Sequence, residues 1–450
     1  MTVKGNIYMN NIKKPWDNGI LKADGVWLKN GETPFFWLGD TAWLLFQRLT
    51  REEMRTYLYN RYERGFNVIQ AVAVMNLPGT NIKTGQKPYL DEKTLTPDLD
   101  SGYWDNIDYA FDVAHELGMY IGLLPTWGGV VTKNGMDGSV AKAYASFLAQ
   151  RYGKRDNLIW INGGDCRGAD GYEFWDTMGA ALKALTPDRL VCYHTFGRTL
   201  ASDTFYDSKW LDVDMFQSGH RRYDQITLNR AFDNNAQEDF WYGEDNWRYV
   251  LRAHAKEHKR PVLDAEPSYE NIPHGLHDFT QPRWTAWEVR RYAYWSLLEG
   301  ACGFTYGHNA IMQFGFEGEP GAFGCLEDWK DAMNHPGADS MKHMKELMTS
   351  LPFTTAKPAP ELLDCPQGEK HDRISISKGE NYVLAYMFKG QDICLKAGVL
   401  SGCADIYWVN PQSGIKSYCG RYDAKNEPIK LCHPKGNYDN KDWLLLIKKG

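Results

Sequence analysis

Residues 157–167 read NLIWINGGDCR. Leu158 to Ile161 form an apolar run too short for a helix, and Asn162-Gly163-Gly164 ends it at once. Such a run, closed by turn residues, reads as a buried strand. The first residue past the stop is a carboxylate, Asp165. A second stretch of the same kind, residues 260–270, reads RPVLDAEPSYE. Pro261 to Leu263 are strand-like there, and Glu266 stands just beyond them, ahead of Pro267. A carboxylate at the C-terminal tip of a buried parallel strand points into the usual active-site face of an α/β barrel. Asp165 and Glu266 therefore read as one catalytic pair, and the rest of the chain as what holds them.

Working outward, the same grammar repeats. Strand signals fall at 35–38, 66–74, 119–124, 158–161, 190–193, 214–216, 261–263 and 303–306. Helical patterns stand between most of them. Thr50-Arg51-Glu52-Glu53 is a capping box opening a helix that Gly65 closes. Further helices are expected at 104–117, 139–152, 171–185, around 244–257, at 283–299 and at 338–350. Eight alternating units argue for a (β/α)8 TIM barrel. An open doubly wound sheet is the competing reading, but no G-x-G-x-x-G turn follows the first strand. Asp24-Gly25 and Asn30-Gly31 are hairpin signals that place a small β-cap before the barrel. Pro352, Pro358 and Pro360 mark a linker. Beyond it, alternating runs at 373–377, 382–387, 404–409 and 442–447 read as an antiparallel β-sandwich. The expected domains are thus 1–350, barrel with cap, and 351–450, sandwich.

The composition narrows the function. In 450 residues the net charge is −6, and no basic run of five or more appears, so a nucleic-acid partner is not expected. No apolar run approaches the ~18 residues of a membrane span, so no membrane partner is expected either. The start, MTVKGNIYMNN, lacks an apolar signal core, which leads to the expectation of a cytoplasmic setting, with a trimmed export signal as the alternative. Nine cysteines are scattered without a C-x-x-C pair, and neither H-E-x-x-H nor EF-hand spacing occurs, so no metal and no cofactor are expected. Nothing sets the oligomeric state. Seventeen Trp and 26 Tyr exceed what a core needs. Their flat faces and polar edges suit sugar rings, although heavy aromatic packing of a large barrel would also use them.

A pair of carboxylates at strand tips suits glycoside hydrolysis, one protonating the leaving oxygen and the other attacking the anomeric carbon or activating water. Taken singly, Asp165 could cap the next helix and Glu266 could pair with an arginine. Other residues near strand tips are candidate substrate contacts: Asp40, Trp43, Trp127, His194, Gln217, His220 and Tyr306. Each also has a bland role, Asp40 as a turn cap and Trp43 as packing. Tyr306 could instead orient the nucleophile. Ser218 lacks the G-x-S-x-G elbow of a serine hydrolase.

Four stretches, FFWLGDTAWLLF (35–46), NLIWINGGD (157–165), DMFQSGH (214–220) and RPVLDAEPSYE (260–270), resemble the apiosidase-like glycoside hydrolases of family 140, in the retaining barrels of clan A. The likeness covers roughly residues 15–350, and the tail resembles the sandwich that follows in that family. It implies that Asp165 is the acid/base and Glu266 the nucleophile. Many clan A enzymes carry Asn-Glu at strand four; this chain carries Asn162-Gly163-Gly164-Asp165, which agrees with the family. For the substrate, it implies apiose linked to galacturonic acid in a pectin side chain. A retaining glycosidase of other specificity and a non-catalytic carbohydrate-binding protein are the alternatives.

Overall fold

A computed structural model describes residues 12–224, 242–423, 427–434 and 441–450. Eight parallel strands form its centre: β1 Trp37–Thr41, β2 Val68–Val72, β3 Tyr120–Leu124, β4 Leu158–Gly163, β5 Val191–His194, β6 Asp214–Phe216, β7 Val262–Asp264 and β8 Gly303–Tyr306. Their hydrogen-bonded order is β5-β4-β3-β2-β1-β8-β7-β6. The two outer strands then meet: Cys192 bridges Val213, and the Asp212 N–H donates to Val191 O at 2.9 Å. The ring is a (β/α)8 barrel, with every strand residue buried.

Its helices follow the sequence closely. Arg51–Glu63 opens on Thr50, whose hydroxyl accepts from Glu53 N–H while the Glu53 carboxylate takes the Thr50 N–H at 2.9 Å. Gly138–Tyr152, Tyr172–Leu185, Ala286–Leu298 and Pro336–Thr349 lie within a few residues of their expected bounds. Trp247–Ala255 is the helix expected around 244–257, and residues 225–241 before it lie outside the described residues. The first strand differs most. Phe35 pairs with Leu28 in a three-stranded cap, Leu21–Asp24, Trp27–Asn30 and Thr33–Phe35, so β1 starts at Trp37 and runs through Gly39-Asp40. Gly39 lies within the strand, paired with Thr305 of β8, and glycine is needed there because a Cβ would come within 2.6 Å of Trp37 Nε1 and 2.9 Å of the Thr305 hydroxyl. The cap closes the N-terminal end of the barrel: Asn30 Nδ2 donates to the Tyr120 hydroxyl at 2.6 Å, and Phe35 packs edge-on against that ring.

The C-terminal part is a six-stranded antiparallel sheet with a two-stranded ribbon, Ile393–Leu395 with Ile429–Leu431, over one face. Its strand Tyr382–Met387 is buried on both sides, and the alternation shows why. Tyr382, Leu384 and Tyr386 join the barrel core, whereas Val383, Ala385 and Met387 join the sandwich's own core. Against the barrel face lies helix Ala286–Leu298. Trp287 stacks on Phe388 at 4.1 Å, Tyr294 stacks on Tyr386 at 4.9 Å, and Arg290 grips Asp442 through two bonds of 2.8 Å. No helix among the described residues is long and apolar enough to cross a membrane.

Candidate active site

At the C-terminal end of the barrel lies a cavity of about 450 Å³. The loops after all eight strands line it, from Trp43 after β1, Met75 after β2 and Trp127 after β3 round to Met312 after β8. Asp165 and Glu266 both face it, each two residues beyond its strand. The approach to Asp165 requires glycine. Gly163 and Gly164 have φ of +86° and +112°, and a Cβ on Gly164 would lie 2.5 Å from the Trp127 ring. Asp165 itself is left-handed at φ +46°.

The two carboxyls are placed in opposite electrostatic settings. Glu266 is buried, which by itself disfavours its charge, but two imidazoles outweigh that. His220 Nε2 lies 3.0 Å from Oε1 and His194 Nε2 lies 3.4 Å from Oε2. They hold the Glu266 carboxyl down at about 2. Both rings have their proton position set by their other nitrogen. His194 Nδ1 accepts the Asp165 N–H at 3.5 Å, and His220 Nδ1 accepts the Tyr269 N–H at 3.4 Å. With Nδ1 accepting, the proton of each neutral ring falls to the Nε2 that faces Glu266, within hydrogen-bond reach for His220 and at ion-pair distance for His194. Asp165 goes the other way. Burial first, then the Glu266 charge, push it up to about 6, against His194, Arg221 and a hydrogen bond from Gln217. Asp165 is exposed to the cavity, so a sugar displacing the cavity water would push it further in the same direction. Behind Glu266, Asp264 takes the Ser218 hydroxyl at 2.5 Å and Asn246 Nδ2 at 3.0 Å, which locks the tips of β6 and β7 together.

The other expected site residues divide. Trp43, Trp127, Gln217 and His220 line the cavity. Trp43 and Trp127 pack at 5.2 Å, and Trp43 also meets the His194 ring edge-on. His194 and His220 contact Glu266, so the geometry makes them partners of the carboxylate where substrate contacts were expected. Asp40 is a correction. It lies inside β1, wholly buried, where the Tyr57 hydroxyl donates to it at 2.7 Å and Arg61 stands at 3.4 Å. Side chains alternate along a strand, and Asp40 takes the helix-facing side. Tyr306 is the second correction. Its hydroxyl donates to Glu270 at 2.6 Å, and Glu270 caps helix Pro336–Thr349 through the Gly337 N–H. It therefore orients Glu270 and not Glu266. Arg198, Arg221, Tyr269, Phe196 and Phe323 line the cavity without having been anticipated. Tyr269 stands inside the second motif, and its ring packs on His220 at 4.7 Å.

Among the described residues, one cluster has metal-type donors: His308, Glu327 and His335, within 4.8 Å of one another. Its hydrogen bonds argue against an ion. His308 Nδ1 accepts the Ala310 N–H at 3.1 Å, which leaves the proton on Nε2, directed at His335 Nδ1 3.2 Å away. His335 Nε2 then faces Glu327 at 2.8 Å. An ion on His308 Nε2 would need a proton on Nδ1, opposed to that N–H.

Comparison with known proteins assigns the family. Residues 23–355 match the family model described as "Apiosidase-like, catalytic domain", and residues 358–448 match one described as "Putative collagen-binding domain of a collagenase". A solved structure named glycoside hydrolase is 40% identical, with a TM-score of 0.91 over 97% of this chain and 98% of that one. A glycoside hydrolase family 5 structure from Bacteroides vulgatus ATCC 8482 is 37% identical, with a TM-score of 0.91 over 97% and 95%. A second structure from that organism, described as a "putative glycoside hydrolase", is 13% identical with a TM-score of 0.67 over 97% and 84%, and shares the fold. No curated protein matches. The chain belongs to the apiosidase-like family, and it is a glycoside hydrolase of the clan A barrel type.

Proposed function

We propose that this enzyme cleaves a glycosidic bond with retention, Asp165 acting as acid/base and Glu266 as nucleophile. The observation that carries the reading is two carboxyls on one cavity in opposite settings: Glu266 between two imidazoles at 3.0 and 3.4 Å, which favour its charge, and Asp165 pushed up by burial and by the Glu266 charge. In the first step Asp165 gives its proton to the leaving oxygen while ionised Glu266 attacks the anomeric carbon. The glycosyl ester then breaks when Asp165, now a carboxylate, takes a proton from the attacking water, which releases Glu266. Trp43 and Trp127 give the sugar an apolar wall.

For the substrate, we propose an acidic plant glycan of the pectin type, apiose joined to galacturonic acid. Arg198 and Arg221 line the same cavity as the catalytic pair and supply the positive charge that a uronate carboxylate requires. The test is hydrolysis of matched oligosaccharides with the uronate intact or reduced to the neutral alcohol. The acidic substrate should be preferred, and Arg221→Met should erase the preference. Equal rates on both would refute the acidic assignment while leaving the glycosidase reading in place.

A further inference from the structure

His194, the last residue of β5, lies between the two catalytic loops. Nδ1 accepts the backbone N–H of Asp165 at 3.5 Å, and Nε2 stands 3.4 Å from Glu266 Oε2. The ring is fully buried and has little freedom to turn, with Trp43 edge-on at 5.1 Å and Trp127 at 5.9 Å. The neighbouring His220 makes a parallel pair of contacts, but its Nδ1 partner, Tyr269, belongs to the loop of Glu266 itself. His194 instead joins β4's loop to β7's loop. Its Nδ1 partner is also the residue whose backbone is left-handed at φ +46°, a conformation that an aspartate keeps when its surroundings impose it.

We propose that His194 is a positioning residue that couples acid to nucleophile, one ring nitrogen fixing the backbone of Asp165 and the other orienting Glu266 and keeping it charged. The inference rests on the roles assigned above to those two carboxyls. Asp165 and Glu266 are the ionisable groups that touch the imidazole; Trp43 and Trp127, its ring neighbours, carry no charge. His220 acts from the far side of Glu266, and Arg221 and Gln217 act on Asp165.

Two isosteric substitutions separate the two contacts. An asparagine amide oxygen occupies the place of Nδ1, whereas a glutamine amide nitrogen reaches the place of Nε2. His194→Asn should keep the acceptor for Asp165 N–H and lose the donor to Glu266. His194→Gln should do the reverse. The readout is the pH profile of kcat/KM on a glycoside that the wild type hydrolyses. For His194→Asn the acid limb should move up by about one pH unit, since an anion that loses a donor is harder to keep ionised. For His194→Gln the acid limb should stay, while kcat falls roughly tenfold or more with KM nearly unchanged, because the acid is misplaced. A merely structural histidine would lower the melting temperature of both variants and leave both limbs where they are, which would overturn the proposal. Glu266→Gln serves as the control. If it still turns over, the nucleophile assignment falls and the proposal with it; if it is inactive while both His194 variants keep the wild-type limbs, the proposal falls alone. Should the asparagine variant fail to fold, the 15N shifts of the wild-type imidazole decide the point. Protonation at Nε2 with Nδ1 accepting is expected, and an Nδ1–H neutral ring would contradict it.

Discussion

Replacing Glu266 with glutamine removes a negative charge beside Asp165 while keeping the shape of the site. Burial and the Glu266 charge are the two effects that lift Asp165 to about 6. Carboxyls of a retaining pair stand about 5–5.5 Å apart, and two unit charges at that distance repel by roughly 3 kcal/mol at an effective dielectric near 20. That corresponds to about 2 pKa units. Asp165 is open to cavity water, which screens the repulsion, so a shift of about 1 unit downward is the expected outcome. The assay is a 13C titration of aspartate carboxyls, with the Asp165 resonance identified by its loss in Asp165→Asn. An Asp165 that titrates unchanged, or higher, in Glu266→Gln would refute the claim that a charged Glu266 faces it. The shift also bears on turnover. Esterification of Glu266 in the glycosyl-enzyme removes the same charge, so Asp165 becomes easier to ionise at the stage where it must act as a base.

The same carboxyl shapes stability. Its folded pKa is raised, so the folded state binds the proton more tightly, and stability falls as pH rises from about 4 to about 6. Asp165→Asn should therefore be more stable than wild type at pH 7.5, by about 1 kcal/mol after allowing for solvent, and no more stable at pH 3.5; an equal gain in Tm at both pH values would contradict this. Arg290→Met leaves Asp442 buried with the Tyr386 hydroxyl at 2.9 Å, and should cost about 3–5 kcal/mol in urea unfolding. The double variant Arg290→Met with Asp442→Leu should recover most of that loss, and a single-variant cost below about 1 kcal/mol would show that the pair does not hold the sandwich to the barrel. Asp40→Asn should lower Tm, by about 1–3 kcal/mol of stability, and leave kcat/KM of the folded enzyme unchanged; a rise in KM would return Asp40 to the sugar site.

Most of the barrel was legible because its signals are local. β6 and β8 fall where short apolar runs placed them, and the capping box at Thr50 to Glu53 forms as read. The start of β1 was not legible. Phe35 and Phe36 continue the apolar run, and nothing local says that Phe35 pairs with Leu28 in the cap. The end of β1 is what affected the site. The apolar run stops at Leu38, so Asp40 reads as a residue past the strand tip, whereas β1 continues to Thr41 and turns Asp40 toward Tyr57 and Arg61. Tyr306 is a different case: its partner, Glu270, comes beside it through pairing of the loops after β7 and β8, where the Glu270 N–H donates to Gly307 O at 2.9 Å, a long-range contact with no local signal. The two histidines were found as strand-tip residues, but their target was not. Only the closed ring brings the tips of β5 and β6 onto the carboxylate after β7. Arg198, Arg221 and Tyr269 carried a signal that was passed over, as each follows a barrel strand within a few residues.

The central claim is that Asp165 and Glu266 form a retaining pair, and the anomeric configuration of the first-formed product tests it most directly. A panel of aryl glycosides and pectin oligosaccharides would first supply a substrate, and 1H NMR would then follow the product before it mutarotates. The account predicts the configuration of the substrate in the first product, with no product from Asp165→Asn on unactivated substrates or from Glu266→Gln. An inverted first product, or turnover by Glu266→Gln at the wild-type rate, would contradict it.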